Sequence, residues 1–238
     1  MRRISLAAVV VVLAGASLTG CHGVTTAPGP AGQRSAPAPA RDTAPGSAIQ
    51  ALDGLQVRAR GPLTGYTRTA FGPAWSDDTS DPDGHNGCDT RDDILARDLT
   101  GVSYRSGHCT VASGTLHDPY TGKVIHFVRG PRSDAVEIDH VVPLADAWGA
   151  GAAQLTSVRR MDLAEDPLEL LAVDGPTNEA KGDDDASQWL PPDTGDDCAY
   201  VARQIAVKAK YHLWVTPAER TAMRKVLTGC PGQGVPTE

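Results

Sequence analysis

The chain has 238 residues and a formal net charge of −7, with 40% hydrophobic, 21% charged and 5% aromatic residues. That apolar content is too high for a wholly disordered chain. The 25 Gly and 18 Pro follow no collagen period, and the composition also excludes a long coiled coil and a multi-pass membrane protein. The acidic balance argues against a general nucleic-acid binder, which carries a strongly basic footprint.

Arg2 and Arg3 precede an almost entirely apolar or small run, Ile4 to Leu18. This is the layout of a secretory signal, and the run is short for a membrane span. It ends in Leu18-Thr19-Gly20-Cys21, a sequence similar to a bacterial lipobox, in which the cysteine is acylated and becomes the first mature residue. Residues 1–20 are therefore expected to be a lipoprotein signal peptide. Cys21 is the expected lipidation site and the membrane the expected partner, holding the chain at the outer face of the cell membrane. The alternative is an ordinary signal peptide followed by a stray cysteine, and a secreted chain. Losing Arg2 and Arg3 makes the remainder more acidic by two charges. Residues 21–50 are dominated by Ala, Pro, Gly, Ser and Thr and read as a disordered tether. A folded domain is expected over 51–232, large enough for a real core, with 233–238 as a flexible tail.

Setting Cys21 aside leaves Cys88, Cys109, Cys198 and Cys230, with no C-x-x-C pair. A zinc ribbon is therefore disfavoured and two disulfides are expected. Three connectivities are possible. Cys88–Cys109 with Cys198–Cys230 is favoured, because each pair brackets one local segment. Each loop closure is worth roughly 3 kcal/mol in the chain-entropy picture.

Along the domain, Asp89 to Leu99 reads as a helix, with Thr90 and Asp93 resembling a capping box. Val102 to Tyr104 and Cys109 to Leu116 are strand-like. The turn Asp118-Pro119-Tyr120-Thr121-Gly122 leads into Lys123 to Val128, which makes a β-hairpin. Val136 to Val142 is a strand stopped by Pro143. Leu144 to Gln154 reads as helix, Leu168 to Val173 as strand, and Thr177 to Trp189 as helix after a Gly-Pro turn. Asp197 to Tyr211 is a further helix. Thr216 to Leu227 is the best-marked one, with Thr216 as cap, Pro217 at its first position and Glu219 completing the box. The mixture predicts an α+β fold.

Glu137-Ile138-Asp139-His140-Val141-Val142-Pro143-Leu144 sets an adjacent Asp and His at the end of a strand. Leu168 to Val173 follows as a pairing strand, then Asn178-Glu179-Ala180-Lys181-Gly182-Asp183 opens a helix. Strand, strand, helix brings the helix start against the Asp-His pair. This resembles the HNH (His-Me finger, ββα-metal) endonucleases. It is most similar to secreted actinobacterial members related to the GmrSD-type C-terminal nuclease domain. The resemblance extends from about Gly65 to Cys230 and includes F-G-P-A-W at 71–75, G-C-D-T-R at 87–91, D-P-Y-T-G at 118–122 and W-L-P-P at 189–192.

The resemblance implies a ββα-metal core elaborated with extra helices and the hairpin. It also implies a membrane-anchored, metal-dependent endonuclease cleaving phosphodiester bonds of nucleic acid, with DNA the expected form. His140 would be the general base. Asp139 and the amide oxygen of Asn178 would hold Mg²⁺, or another divalent ion such as Mn²⁺, which favours oxygen ligands. Lys181, one helical turn from Asn178, either neutralises a phosphate oxygen or is a solvated lysine. Glu137 is read as a supporting group or a surface acid. Glu169 stands where the family carries an Asn that helps hold the histidine. That departure sustains a second reading, a non-catalytic surface lipoprotein keeping the fold as a binding module. A third reading is another metal-dependent envelope hydrolase using the same residues.

Charge is segregated. Seven acids lie between Trp75 and Asp93, whereas from Tyr200 to Leu227 six bases, Arg203, Lys208, Lys210, Arg220, Arg224 and Lys225, stand against Glu219. The expectation is a local basic face that meets nucleic-acid backbone. No partner protein is legible in the sequence.

Overall fold

The structure, a computed structural model, describes residues 47–105 and 107–237. The expected leader, the lipidation site Cys21 and nearly all of the tether lie outside the described residues.

Helix α1 (Ala48–Gly54) opens the described chain, capped by Ser47, whose Oγ accepts from the Gln50 amide. Helix α2 (Thr90–Asp98) then leads into strands β1 (Leu99–Tyr104), β2 (Val111–His117), β3 (Val124–Val128) and β4 (Val136–His140). Helices α3 (Leu144–Gly149) and α4 (Ser157–Glu165) separate β4 from β5 (Leu170–Asp174). The chain closes with α5 (Gly175–Lys181), α6 (Asp197–Lys210) and α7 (Pro217–Thr228). Strands β1, β2 and β3 form an antiparallel meander, and β4 pairs antiparallel with β5. The fold is mixed α+β with antiparallel sheets. Cys88 is bonded to Cys109 and Cys198 to Cys230, with Cα separations of 5.1 and 6.2 Å.

Several boundaries differ from the sequence expectations. The domain edge drawn at Ala51 falls inside α1, because Ala48 and Leu52 are fully buried and need the whole helix. The Ala48 amide donates to the Gln233 carbonyl, and Ser47 bridges Gly234. The start of the supposed tail is therefore paired backbone. Asp89, not Thr90, caps α2, its carboxylate accepting from the Asp92 amide. The helix expected to reach Gln154 stops at Gly149 and resumes as a 3₁₀ turn, Ala152–Gln154. The helix expected to reach Trp189 ends at Lys181, because Gly182 takes a left-handed φ of +53°. Helix α4 was not anticipated. The capping box of α7 is present in full.

Two apolar clusters fill the interior. One joins α1, α3, α4, α6 and α7, and contains Tyr120, Val141, Val142 and Val173. The other joins α2 to the strands through Ile94, Leu95, Phe127, Val136, Ile138, Leu170 and Ala172. The β4–β5 pair lies between them, so alternate residues face alternate clusters. The open side of β5 is covered by α2. Arg97 donates to the carbonyls of Pro167 and Leu170, and Asp98 accepts from the Ala172 amide. That cover removes an unpaired strand edge.

The first cluster also contains a buried ionic triad. Lys208 is fully buried, with Nζ 3.0 Å from Asp146 Oδ2 and 2.7 Å from Glu219 Oε1. Two carboxylates outweigh the burial penalty and push the lysine pKa above its ordinary value. Removing one member leaves uncompensated buried charge. Lys208→Ala is therefore expected to cost about 3–5 kcal/mol, read as a lowered midpoint of urea denaturation. An unchanged midpoint would show that the triad is not closed in solution.

Candidate active site

The site forms where β4 ends and α5 begins. In the β4–β5 register His140 faces Leu170 and Asp139 faces Leu171. A regular strand sends those two side chains to opposite faces. Here the strand terminates at His140, and both residues line one cavity of about 250 Å³ with Tyr66, Arg68, Asn178 and Asp183.

Helix α5 follows β5 without a loop. Asp174 caps it, accepting from the amide and hydroxyl of Thr177, while Asp118 of the hairpin turn accepts from the Asp174 amide. Gly175 sits so close to the Asp134 carbonyl that a Cβ would lie 1.9 Å from that oxygen, so no larger residue fits. Thus the D-P-Y-T-G turn, the strand pair and the helix are fastened together before any functional side chain is placed.

Asp139 is 4% exposed. Its Oδ1 accepts from Lys181 Nζ at 2.7 Å and its Oδ2 from the Tyr120 hydroxyl at 2.5 Å. Burial raises its pKa, opposed by Lys181 and Tyr120. Tyr120 is itself fixed by edge-on contacts with Trp189 and Tyr200 at 5.1 and 5.6 Å. The W-L-P-P segment therefore supports the Asp139 carboxylate through Tyr120.

Lys181 is 1% exposed and also donates to the His140 carbonyl at 2.8 Å. It is neither a solvated lysine nor a cation on the cavity wall. It holds the backbone and carboxylate of the Asp139-His140 dipeptide from behind.

The His140 ring is half-buried between two groups supplied from elsewhere. Its Nε2 lies 3.0 Å from the Ala164 carbonyl, at the end of α4. A carbonyl only accepts, so Nε2 carries the proton and Nδ1 keeps its lone pair. The ring also stacks on Trp75, with centroids 6.2 Å apart and planes 17° apart. Trp75 has φ +60°, a left-handed conformation costly for a bulky residue. Its amide donates to Glu165 Oε1 at 3.1 Å, which holds it there. Ala164 and Glu165 thus secure the imidazole together, one directly and one through Trp75. Burial, with Arg68 and Lys181 adding positive charge, pushes the His140 pKa down to about 3. The neutral form prevails at physiological pH.

Glu169 does not touch the imidazole ring. It is fully buried, its Oε2 accepts from the Val142 amide at 3.2 Å, and its carbonyl accepts from the Val141 amide at 2.9 Å. Burial pushes its pKa up from the ordinary carboxylate value. It braces the chain just after His140.

Asn178 Nδ2 donates to Glu137 Oε2 at 2.9 Å. Because a carboxylate only accepts, the amide orientation is fixed and Oδ1 is left for the cavity. Glu137 is accordingly a supporting group. Among the lining side chains, Asp139, Asn178 and Asp183 carry carboxylate or amide oxygens, a donor set that suits a hard divalent ion. Each Asp139 oxygen has one protein donor, which leaves lone pairs for a further bond.

Most of the expected basic face is paired within the protein, and of its six bases Lys225 is exposed. Lys208 is in the buried triad, Lys210 pairs with Asp81 and Asp166, and Arg220 and Arg224 both pair with Asp53. Arg203 reaches the carbonyls of Pro167, Leu168 and Leu170. Much of the charge excess of α6 and α7 is therefore met by internal contacts. The guanidinium beside the site is that of Arg68, which the sequence did not single out.

The family of GmrSD restriction endonuclease C-terminal domains matches residues 89–226. The chain belongs to that family. A relative from Arthroderma benhamiae, described as an uncharacterized secreted protein, is 37% identical over 196 residues. The match covers 82% of this chain and 90% of the relative. No solved structure matches the chain. Within the family match lie Asp139, His140, Asn178, Lys181, Ala164 and Glu165; Tyr66, Arg68 and Trp75 lie before it.

Glu165 yields a test of the site's packing. Burial raises its pKa to about 7, and burial likewise raises those of Asp81, Asp93 and Asp196 to about 6. Between the ordinary carboxylate pKa and these values the folded chain holds more protons than the unfolded one. Stability therefore falls as pH rises through that window. The thermal midpoint is expected to be higher near pH 5 than near pH 7.5, and Glu165→Gln should flatten the slope. A midpoint rising with pH would contradict this packing.

Proposed function

We propose that this chain is a divalent-metal-dependent endonuclease that hydrolyses phosphodiester bonds of nucleic acid, DNA in particular. The observation that carries the reading is the convergence of Asp139, His140 and Asn178 on one cavity at the end of a β–β–α unit. Membership of a restriction-endonuclease domain family supports it.

In this reading Asp139 and Asn178 Oδ1 hold Mg²⁺ or Mn²⁺, with Asp183 at the rim. When bound, the ion supplies charge for the scissile phosphate and the departing oxygen. His140 Nδ1 accepts a proton from the attacking water, while the Ala164 carbonyl holds the opposite nitrogen. The anionic phosphate brought by substrate favours the imidazolium that forms, raising a pKa that is low in the free protein. Lys181 is a positioning residue: it keeps Asp139 and the His140 backbone in register. Glu169 bonds the Val141 and Val142 amides and makes no hydrogen bond to the ring, which weakens the observation that favoured a non-catalytic module.

Two disulfides suit an oxidising compartment, and the fungal relative is described as secreted. We place the protein outside the cytoplasm, and the lipobox-like sequence proposes a lipid anchor at Cys21.

The purified, oxidised chain should nick plasmid DNA with Mg²⁺ or Mn²⁺ and not with EDTA. His140→Ala should lower the rate by roughly 10²–10⁴-fold in protein whose thermal transition shows it still folded at the assay temperature. Absence of cleavage by folded protein across several divalent ions would overturn the reading. Cleavage of another ester with nucleic acid untouched would favour the envelope-hydrolase alternative.

A further inference from the structure

We propose that Arg68 binds the phosphate oxyanion of the substrate, seating it in the cavity beside His140. The proposal rests on the nuclease reading for the identity of the phosphodiester, and otherwise on the geometry of Arg68 alone.

Arg68 lines the same cavity as Asp139, His140 and Asn178. Its Nη1 is buried and has no hydrogen-bond partner. A guanidinium carries five donors, and one left unmet inside a protein is costly. Among the described residues no carboxylate pairs with it. Other basic groups of the interior are treated differently: Lys181, Lys208, Arg97, Arg129 and Arg160 all have oxygen partners. An arginine kept unpaired at a functional cavity is poised for an external acceptor.

The scaffold beneath it is rigid. Arg68 begins the 3₁₀ turn Arg68–Phe71. Phe71 is fully buried and packs against Tyr66 and Trp148 at 6.3 and 6.1 Å. Arg160 Nε donates to the Ala70 carbonyl at 2.7 Å and fixes the turn. The guanidinium is therefore presented from a fixed element, not from a free loop.

Charge points the same way. Lys181 already neutralises Asp139, so Arg68 is the cation left among the residues lining the cavity, which Asp183 also lines. The planar fork of arginine matches two oxygens of a phosphate, which a point charge does not. Arg68 precedes residue 89, where the family match begins, so it reaches the cavity from outside that match.

The test is binding of a short single-stranded oligonucleotide in EDTA, by calorimetry, at several salt concentrations. Wild type is compared with Arg68→Gln, Arg68→Lys and the exposed control Arg132→Gln, with thermal midpoints recorded for all four. Arg68→Gln should weaken binding by about tenfold or more, and lower the slope of log affinity against log salt by about one. Arg68→Lys should restore the slope but not the full affinity. Arg132→Gln should bind like wild type. Equal binding by wild type and Arg68→Gln overturns the proposal, as does wild type that binds no oligonucleotide. Plasmid cleavage by wild type separates the two claims. Cleavage with an indifferent Arg68 leaves the nuclease reading standing. Arg68-dependent binding without cleavage leaves the oxyanion site standing and removes the nuclease.

Discussion

The contact on which the site depends is the buried ammonium of Lys181. From the last residue of α5 it reaches the carboxylate of Asp139 and the carbonyl of His140, so one side chain ties the helix to the end of β4. Breaking such a pair strands a charge in a low-dielectric interior. The Asp139 carboxylate is completed by Tyr120, which the hairpin turn supplies and the Trp189–Tyr200 pair wedges in place. The carboxylate is thus oriented before any ligand arrives. A preorganised donor needs no rearrangement when its partner binds.

A second group of contacts secures the imidazole from outside the β–β–α unit. The end of α4 supplies the Ala164 carbonyl and, through Glu165 and Trp75, a stacking surface. These contacts fix a tautomer as well as an orientation. The strained backbone of Trp75 is held by a buried carboxylate, one way that local strain persists at functional sites. The segment containing Trp75 and Arg68 precedes the family match, so the candidate site is completed by chain that lies outside that match.

Much of this was legible in the sequence because it is local. The β4 and β5 patterns, the capping box of α7, the Pro-Gly hairpin turn and the bracketing cysteines each follow from neighbours a few residues apart. That Asp139, His140 and Asn178 could meet was suggested by the family resemblance, and the three line one cavity. What was missed is non-local. Trp75 reaches His140 across 65 positions of sequence, and no period announces such a contact. Helix α4 was hidden by its mixed, largely polar composition, although Thr156 caps it well. The basic residues of α6 and α7 were misread, because a charge count cannot show that Asp53, Asp146 and Asp166 fold back to meet them. The role of Glu169 was hidden for a related reason: its carboxylate turns to the Val142 amide, a contact that its letter in the sequence does not reveal.

The central claim is that the protein alone, without metal or substrate, holds His140 as a single neutral tautomer with Nδ1 open to the cavity. Nitrogen-15 NMR of the histidine rings in metal-free protein near pH 7 tests it directly. The account predicts that His140 shows one protonated nitrogen, Nε2, and one bare nitrogen, Nδ1, without averaging between forms. A ring protonated on Nδ1, or exchanging between the two tautomers, would contradict it.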